Sequence, residues 1–283
     1  EDMISSAELS RAACCNLGES FVTNPSVDVS YSDAATGAKQ IKLLGLSGTY
    51  VQMLTENIPN YRGAAAPYGL GYVPGPWMQS IQVSKGTSSV KNGYEAITGQ
   101  INVEFKKPQL PEADWVSANL FASTTNRYEA NADATLKLSK RWSTSLLAHY
   151  ENETKAHDGN DDGFVDIPQV EQYNVWNRWA YMGDHYVFQA GIKALSETRT
   201  SGQANHGGTM HSGDLYKVGI DTERYEFFTK NAYIFNKEKN TNLALILSTT
   251  LHNQDATYGR KLYNVDQTNV YASLMFETEF NPQ

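Results

Sequence analysis

The chain has 283 residues and carries 23 Lys and Arg against 31 Asp and Glu, a formal net charge of −8. With no basic cluster to neutralise phosphates, that balance argues against nucleic acid as a partner or a cargo. No run of about 18 apolar residues is present, which excludes helical membrane spans. A transmembrane β-barrel stays open, because its strands alternate lipid-facing and lumen-facing residues and need no such run.

Residues 1–6 show no basic segment followed by an apolar core, so any secretory signal is expected to have been removed already. Ser5 or Ser6 is placed to cap a helix over residues 7–21, where Leu9, Ala13, Leu17 and Phe21 recur at helical spacing and Asn24-Pro25 lies beyond the end. Cys14 and Cys15 sit inside that helix. A vicinal disulfide, soft-metal binding and plain burial are the three readings of the pair. Adjacent helical positions point about 100° apart, so both thiols do not easily meet one ion. Met53, Met78 and Met210 would add soft ligands only if the fold gathered them.

Val27, Val29 and Tyr31 alternate as a strand, Ile41 and Leu43 begin another, and Tyr50, Gln52 and Leu54 continue beyond a Gly45/Gly48 turn. Residues 80–107 read SIQVSKGTSSVKNGYEAITGQINVEFKK. Ile81 and Val83 alternate with Gln82 and Ser84, Gly86, Gly93 and Gly99 permit positive φ or close backbone approach, and Ile101, Val103 and Phe105 restart the two-residue period.

This last stretch resembles the end of the plug domain of TonB-dependent outer-membrane receptors, where a strand, a "KG..S...G...I.G.IN" segment and the start of a barrel follow one another. Residues 45–59, GLSGTYVQMLTENIP, are similar to the family wording "I.GL.G.YV..L.DG.P", with Glu56-Asn57 replacing the usual Asp-Gly. Turn chemistry survives the change, since Asn tolerates the left-handed region. The similarity runs over residues 7–107, and CNLGESFVTNPSVDVSYSDAATGAKQI resembles receptors of Bacteroidetes.

The resemblance implies an α+β plug domain at residues 1–108 followed by antiparallel transmembrane β-barrel strands at 109–283. It implies active uptake of a scarce ligand such as a metal chelate, haem or corrinoid across a bacterial outer membrane. The implied partners are the TonB–ExbB–ExbD energy-transducing complex, reached through a segment upstream of this chain, the surrounding outer-membrane lipid, and a surface lipoprotein.

Beyond KKPQLPE at 106–112 the pattern is strand after strand. One face carries Val116, Ala118, Leu120 and Ala122, then Ala130, Ala132, Ala134, Leu136 and Leu138, then Trp142, Thr144, Leu146, Ala148 and Tyr150. Tyr186, Phe188, Ala190 and Ile192 follow, then Leu243, Leu245 and Leu247, then Val270, Ala272, Leu274 and Phe276. The opposite face is polar, with Ser117, Asn119, Glu129, Asn131, Asp133, Lys137, Ser143, Ser145, Gln189 and Lys193. About eight strands are expected, a partial barrel, since a plugged transporter barrel has about 22. The other reading is a soluble β-rich ligand-binding or adhesion module whose apolar faces form a core between two sheets. Tight turns at 139–141, 183–184 and 236–241 alternate with longer loops at 154–172, 198–215 and 254–266, the asymmetry of a barrel with a turn side and a loop side.

Three segments hold candidate site residues. Residues 60–77 place Tyr61, Arg62, Tyr68, Tyr72 and Trp77 among glycines and prolines, suited to a planar or anionic ligand or to packing on a barrel wall. His206 and His211 lie in a glycine-rich loop, where they would meet a metal-bearing ligand or serve as polar loop residues. Asp158, Asn160, Asp162, the Phe164 carbonyl and Asp166, with Gly163 at the turn, follow the first nine positions of an EF-hand-type calcium loop. Gln169 then stands where a bidentate Glu belongs and Glu171 lies two residues further on, so the expected Ca2+ site is weak and structural, and a solvated acidic loop is the alternative. No G-x-S-x-G, HExxH or carboxylate dyad supports an enzyme.

Overall fold

The computed structural model describes residues 2–12, 15–21, 24–25, 27–46, 48–87, 93, 95–111, 113–204 and 215–279. The N-terminal unit contains β1 (Asp2–Ser5), α1 (Ser6–Ala12), β2 (Val27–Asp33), β3 (Ala38–Leu43), β4 (Val51–Thr55), β5 (Ile58–Pro59), β6 (Met78–Lys85) and β7 (Gly99–Phe105). Five of these strands form one sheet in the order β1-β6-β7-β4-β5, and β2 pairs with β3 separately. β4 runs parallel to β7, while β6 and β7 are antiparallel, pairing Ile81 with Val103 and Val83 with Ile101. Those four side chains are fully enclosed, as the alternation predicts, and they pack with Leu17, Leu43, Tyr72, Trp77 and Phe105 in one apolar cluster.

The helix is shorter than its apolar spacing suggests. Ser5 closes its start, its backbone N–H and hydroxyl donating to Glu8 at 2.7 and 2.8 Å, but the helix ends at Ala12 and only a 3-10 turn at Glu19–Phe21 follows. Tertiary hydrogen bonds override the helical register: the Leu17 N–H reaches the Val73 carbonyl, and the Gly75 N–H reaches the Cys15 carbonyl. The chain at 15–17 is thereby drawn alongside 73–75. β1 carries no sequence signature of its own and is made by pairing with β6.

Eight longer strands follow: β8 (Val116–Ala122), β9 (Tyr128–Lys137), β10 (Trp142–Glu153), β11 (Gln169–Met182), β12 (Tyr186–Gly202), β13 (Lys217–Asn236), β14 (Thr241–Tyr258) and β15 (Lys261–Glu277). They form an antiparallel meander in sequence order with β8 and β15 at its two edges, so the sheet is an open wall curved around the N-terminal unit.

Burial in this wall is inverted relative to a soluble protein. The apolar positions face outward, with Leu120 81%, Ile192 62%, Val270 75% and Leu274 68% exposed. The polar positions are enclosed against the N-terminal unit: Gln172, Asn174 and His252 are 0% exposed and Arg178 and Arg224 no more than 2%. A soluble sandwich would bury the leucine face, so that alternative does not describe this fold. On β14 the outward run from Leu243 to Leu251 measures roughly 27 Å along the strand, which tilting reduces to about 20 Å, close to the apolar band of a transmembrane barrel. Trp142, Trp179, Tyr181 and Phe188 cluster at the short-turn end of that band, as an interfacial girdle does.

The connections correct three expectations. β11 begins at Gln169, inside the segment 154–172 read as loop. β14 and β15 are joined by Gly259 and Arg260 alone, so 254–266 is strand and tight turn. The polar residues around Gly259-Arg260 interrupt the apolar alternation that marks a strand in the sequence. β12 continues to Gly202, inside the segment 198–215 read as loop, and residues 205–214 of that segment lie outside the described residues.

Trp77 is fully buried, with its ring 6.2 Å from that of Trp176. Trp77→Ala is expected to cost about 3–5 kcal/mol, read as a lower urea midpoint at unchanged slope.

Candidate functional site

The N-terminal unit meets the wall through charge rather than through apolar packing alone. The β4–β5 turn carries Glu56 between two wall cations: the Arg178 Nη2 lies 2.7 Å from its Oε1, and the Lys230 Nζ 3.7 Å from its Oε2. Lys230 also donates to the Glu56 carbonyl at 2.6 Å, and Arg178 to the Lys106 carbonyl at 2.7 Å. Burial alone would push the Glu56 carboxyl up, but Arg178 and Lys230 outweigh it and hold the group below its ordinary value.

Four residues on, Asn60 accepts from Arg224 at 2.5 Å and donates to Glu226 at 3.2 Å, and Arg224 and Glu226 bond each other at 2.6 Å. Tyr61 accepts from Lys193 at 3.2 Å, and Lys193 also reaches the Tyr72 carbonyl at 3.3 Å. Higher on the wall Arg127 gathers Glu19 of the N-terminal unit at 2.9 Å, Glu129 at 2.6 Å and Glu151 at 3.1 Å. Burial opposes ionisation of Glu19 too, yet Arg127 and the Cys15 backbone N–H keep its carboxyl lowered. Main-chain carbonyls complete the seam, Gly71 accepting from Gln172, Tyr72 from Asn174 and Thr36 from Arg199.

A cavity of about 450 Å³ opens between the two units on the long-loop side. Lys39, Tyr31 and Tyr68 line it from the N-terminal unit, and Arg127, Glu153 and Arg199 from the wall. The Lys39 ammonium stands 5.5 Å from the centre of the Tyr31 ring, and the Arg199 guanidinium 5.1 Å from that of Tyr68. Ile167 and Pro168 of the loop after β10 close one side. Cys15 also faces this cavity, buried and free; burial pushes its thiol up and the charge of Glu129 adds to the rise.

The aromatic residues of 60–77 are packed rather than displayed. Tyr61 and Tyr68 are 4% and 7% exposed, and Tyr72 and Trp77 0%. Of these only Tyr68 borders the cavity. Arg62 is half-exposed and paired with Glu95 at 2.8 Å. His206, His211, Met210 and Cys14 lie outside the described residues, and Met78 is buried in the apolar cluster.

In the 158–166 loop the carboxylates turn inward onto their own backbone. Asp158 accepts from the N–H groups of Asp162 and Gly163, Asp162 from that of Phe164, and Asp166 from that of Gly159. Asn160 donates to Asp162 at 3.0 Å. Among the described residues no three His, Cys, Asp or Glu side chains gather into a group able to hold a metal, and this loop is no exception.

Sequence reasoning missed Glu56, Asn60, Arg178, Arg224, Glu226 and Lys230. The available signal in the wall was a set of charged residues at inward positions, of which Glu129, Asp133 and Lys193 were noticed as a polar face.

Residues 1–100 match the family model of the TonB-dependent Receptor Plug Domain. This part of the chain is a TonB-dependent receptor plug. No curated protein matches the sequence. Solved structures extend the likeness across the wall. The ferripyoverdine receptor of the outer membrane of Pseudomonas aeruginosa superposes with a TM-score of 0.69 at 14% identity, covering 94% of this chain and 37% of that one. The siderophore receptor PiuA from Acinetobacter baumannii gives 0.66 at 12%, covering 97% and 41%. The ferric-catecholate import receptor Fiu from E. coli K12 gives 0.63 at 16%, covering 95% and 43%. At such identities the likeness is one of fold, and the chain spans less than half the length of these receptors. Residues 1–100 thus match the plug, and the wall that follows has the fold of part of the barrel in these structures.

Removing one partner of a buried ion pair strands the other charge, so Arg178→Met is expected to destabilise the plug–wall contact by about 3–5 kcal/mol in chemical denaturation. Acid should act in the same direction. The lowered carboxyls of Glu56 and Glu19 contribute stability that is full above the ordinary value of 4.5 and is lost as pH falls through their folded values. The urea midpoint should accordingly fall steeply below that pH, and the Glu56→Gln protein should show a shallower fall.

Proposed function

We propose that this chain is the plug and early barrel of an outer-membrane receptor that imports a scarce small ligand by energised displacement of the plug. One observation carries the reading: a plug-family domain sits against a wall whose buried face is charged and whose exposed face is leucine-rich. Such a wall suits lipid on one side and a movable, hydrated insert on the other. TonB, acting through a segment upstream of this chain, supplies the work that separates the two.

The ligand docks first in the cavity on the long-loop side, whose volume lies in the range of small-molecule sites. Tyr31 and Tyr68 offer ring faces there, while Lys39 and Arg199 offer cations to an anionic ligand. These features suit a metal chelate of the siderophore type.

Two measurements test the reading. The full-length receptor should fractionate with the outer membrane, and Leu247→Arg, at the centre of the outward band, should cost roughly 2–4 kcal/mol of folded stability in bilayers. A soluble product indifferent to that change would overturn the membrane assignment. Binding of a fluorescent ferric catecholate should weaken at least tenfold in the Lys39→Glu/Arg199→Glu double variant, with membrane insertion unaffected; equal binding would remove the cavity from the account.

A further inference from the structure

The turn that inserts Glu56 into the wall is held in a backbone conformation that its residues do not favour. Glu56 has φ of 51°, Asn57 65° and Tyr61 52°. Asn accepts the left-handed region readily, whereas a glutamate at the first position of a two-residue hairpin turn and a buried tyrosine do not. Both unfavourable residues are the ones that the wall grips: Arg178 and Lys230 hold Glu56, and Lys193 holds the Tyr61 hydroxyl. Asn60 sits between them, bonded to the Tyr61 N–H at 2.8 Å, to Arg224 and to Glu226. On its other side Tyr61 presses on Gly69, where an added Cβ would stand 2.7 Å from the Tyr61 Cβ.

We propose that residues 56–61 form a spring clasp, a strained hairpin turn held closed by the wall cations and poised to relax once they let go. The backbone of the turn is fixed within the plug, by β4–β5 pairing and by the Val103 carbonyl and Asn102 Oδ1, whereas the side chains of Glu56, Tyr61 and Asn60 are held by wall groups 122, 132 and 164 residues away in sequence. Separation of plug and wall therefore starts here: losing one pair frees the strained turn, whose relaxation carries Asn60 and Tyr61 away from Arg224 and Lys193. Re-forming the clasp requires all three residues to return to the left-handed region together, which makes the opened turn slow to re-engage. The clasp is a property of the plug–wall contact and stands without any ligand; only its use in transport rests on the function proposed above.

Hydrogen exchange of the full-length receptor in detergent micelles, without ligand or TonB, reads the clasp directly. The N–H groups of Glu56, Asn57, Asn60 and Tyr61 donate to the Val103 carbonyl, the Asn102 Oδ1, the Met53 carbonyl and the Asn60 Oδ1, all within the plug, so their protection reports whether the turn keeps its closed conformation. Arg178→Met, and separately Gly69→Ala, which displaces Tyr61 without touching a charge, should each speed exchange over residues 55–61 at least tenfold. Exchange over β6 and β7 should stay as in the parent protein. Unchanged exchange at 55–61 in both variants would overturn the proposal, and so would a parallel rise over 55–61, β6 and β7, which marks general loosening of the plug. If Arg178→Met does not assemble, Lys230→Met, at the more exposed cation, takes its place under the same criteria.

Discussion

The carboxylate of Glu56, buried between Arg178 and Lys230, shows the constraint on which the rest of the structure depends. A wall with apolar side chains outside carries most of its polar and charged ones on its inner face, beside Leu147, Trp176, Leu195, Val218, Ile220 and Phe228, and those polar groups are removed from water once a domain fills the space within. Each enclosed charge must then find its partner on the inserted domain or on a neighbouring strand, because an unpaired one costs several kcal/mol. The plug answers with Glu56, Asn60, Glu19 and a series of exposed main-chain carbonyls. Its 3-10 turn at Gly69–Tyr72 leaves the Gly71 and Tyr72 carbonyls, which a helix or sheet would have used internally, to wall side chains, and Gln267 reaches the Arg62 carbonyl just before the turn at Gly63–Ala65.

A contact built in this way is specific without being permanent. Water can replace ion pairs and hydrogen bonds as two polar surfaces part, whereas separating two apolar faces exposes area at a cost in proportion to its size. The apolar part of the seam is made by Leu147, Trp176, Leu195, Val218, Ile220 and Phe228 of the wall, which join the plug's cluster, with Trp176 against Trp77 and Phe105. The plug's own core of Leu43, Ile81, Val83, Ile101 and Val103 lies within the unit and would move with it.

Much of this was legible in the sequence. Alternation in the wall strands follows from the two-residue period, and the strands of the central plug sheet follow from Ile81, Val83, Ile101 and Val103. What alternation could not say is which face would be buried, since the pattern is identical for a sandwich and for a barrel; the structure settles this with an exposed Leu274 and an enclosed Arg224. The helix was overextended because Leu17 and Phe21 continue the helical spacing, while the Leu17 N–H is claimed by the Val73 carbonyl and the Cys15 carbonyl by Gly75, contacts invisible in a local window. The strand ends at 254–266 were read as loop because the polar residues around Gly259-Arg260 interrupt the apolar alternation there. The seam was least legible of all: Glu56 and Arg178 are 122 residues apart, and nothing in either neighbourhood names the other. The aromatic residues of 60–77 drew notice for their composition, and the fold spends most of them on packing.

The central claim is that the plug is held by specific charge pairing with the wall. A double-mutant cycle between Glu56→Gln and Arg178→Met, measured by chemical denaturation of the full-length receptor, tests it most directly. The account predicts a coupling of about 1–3 kcal/mol, with the second substitution costing little once the first is present. Additive losses, with no coupling between the two positions, would contradict it.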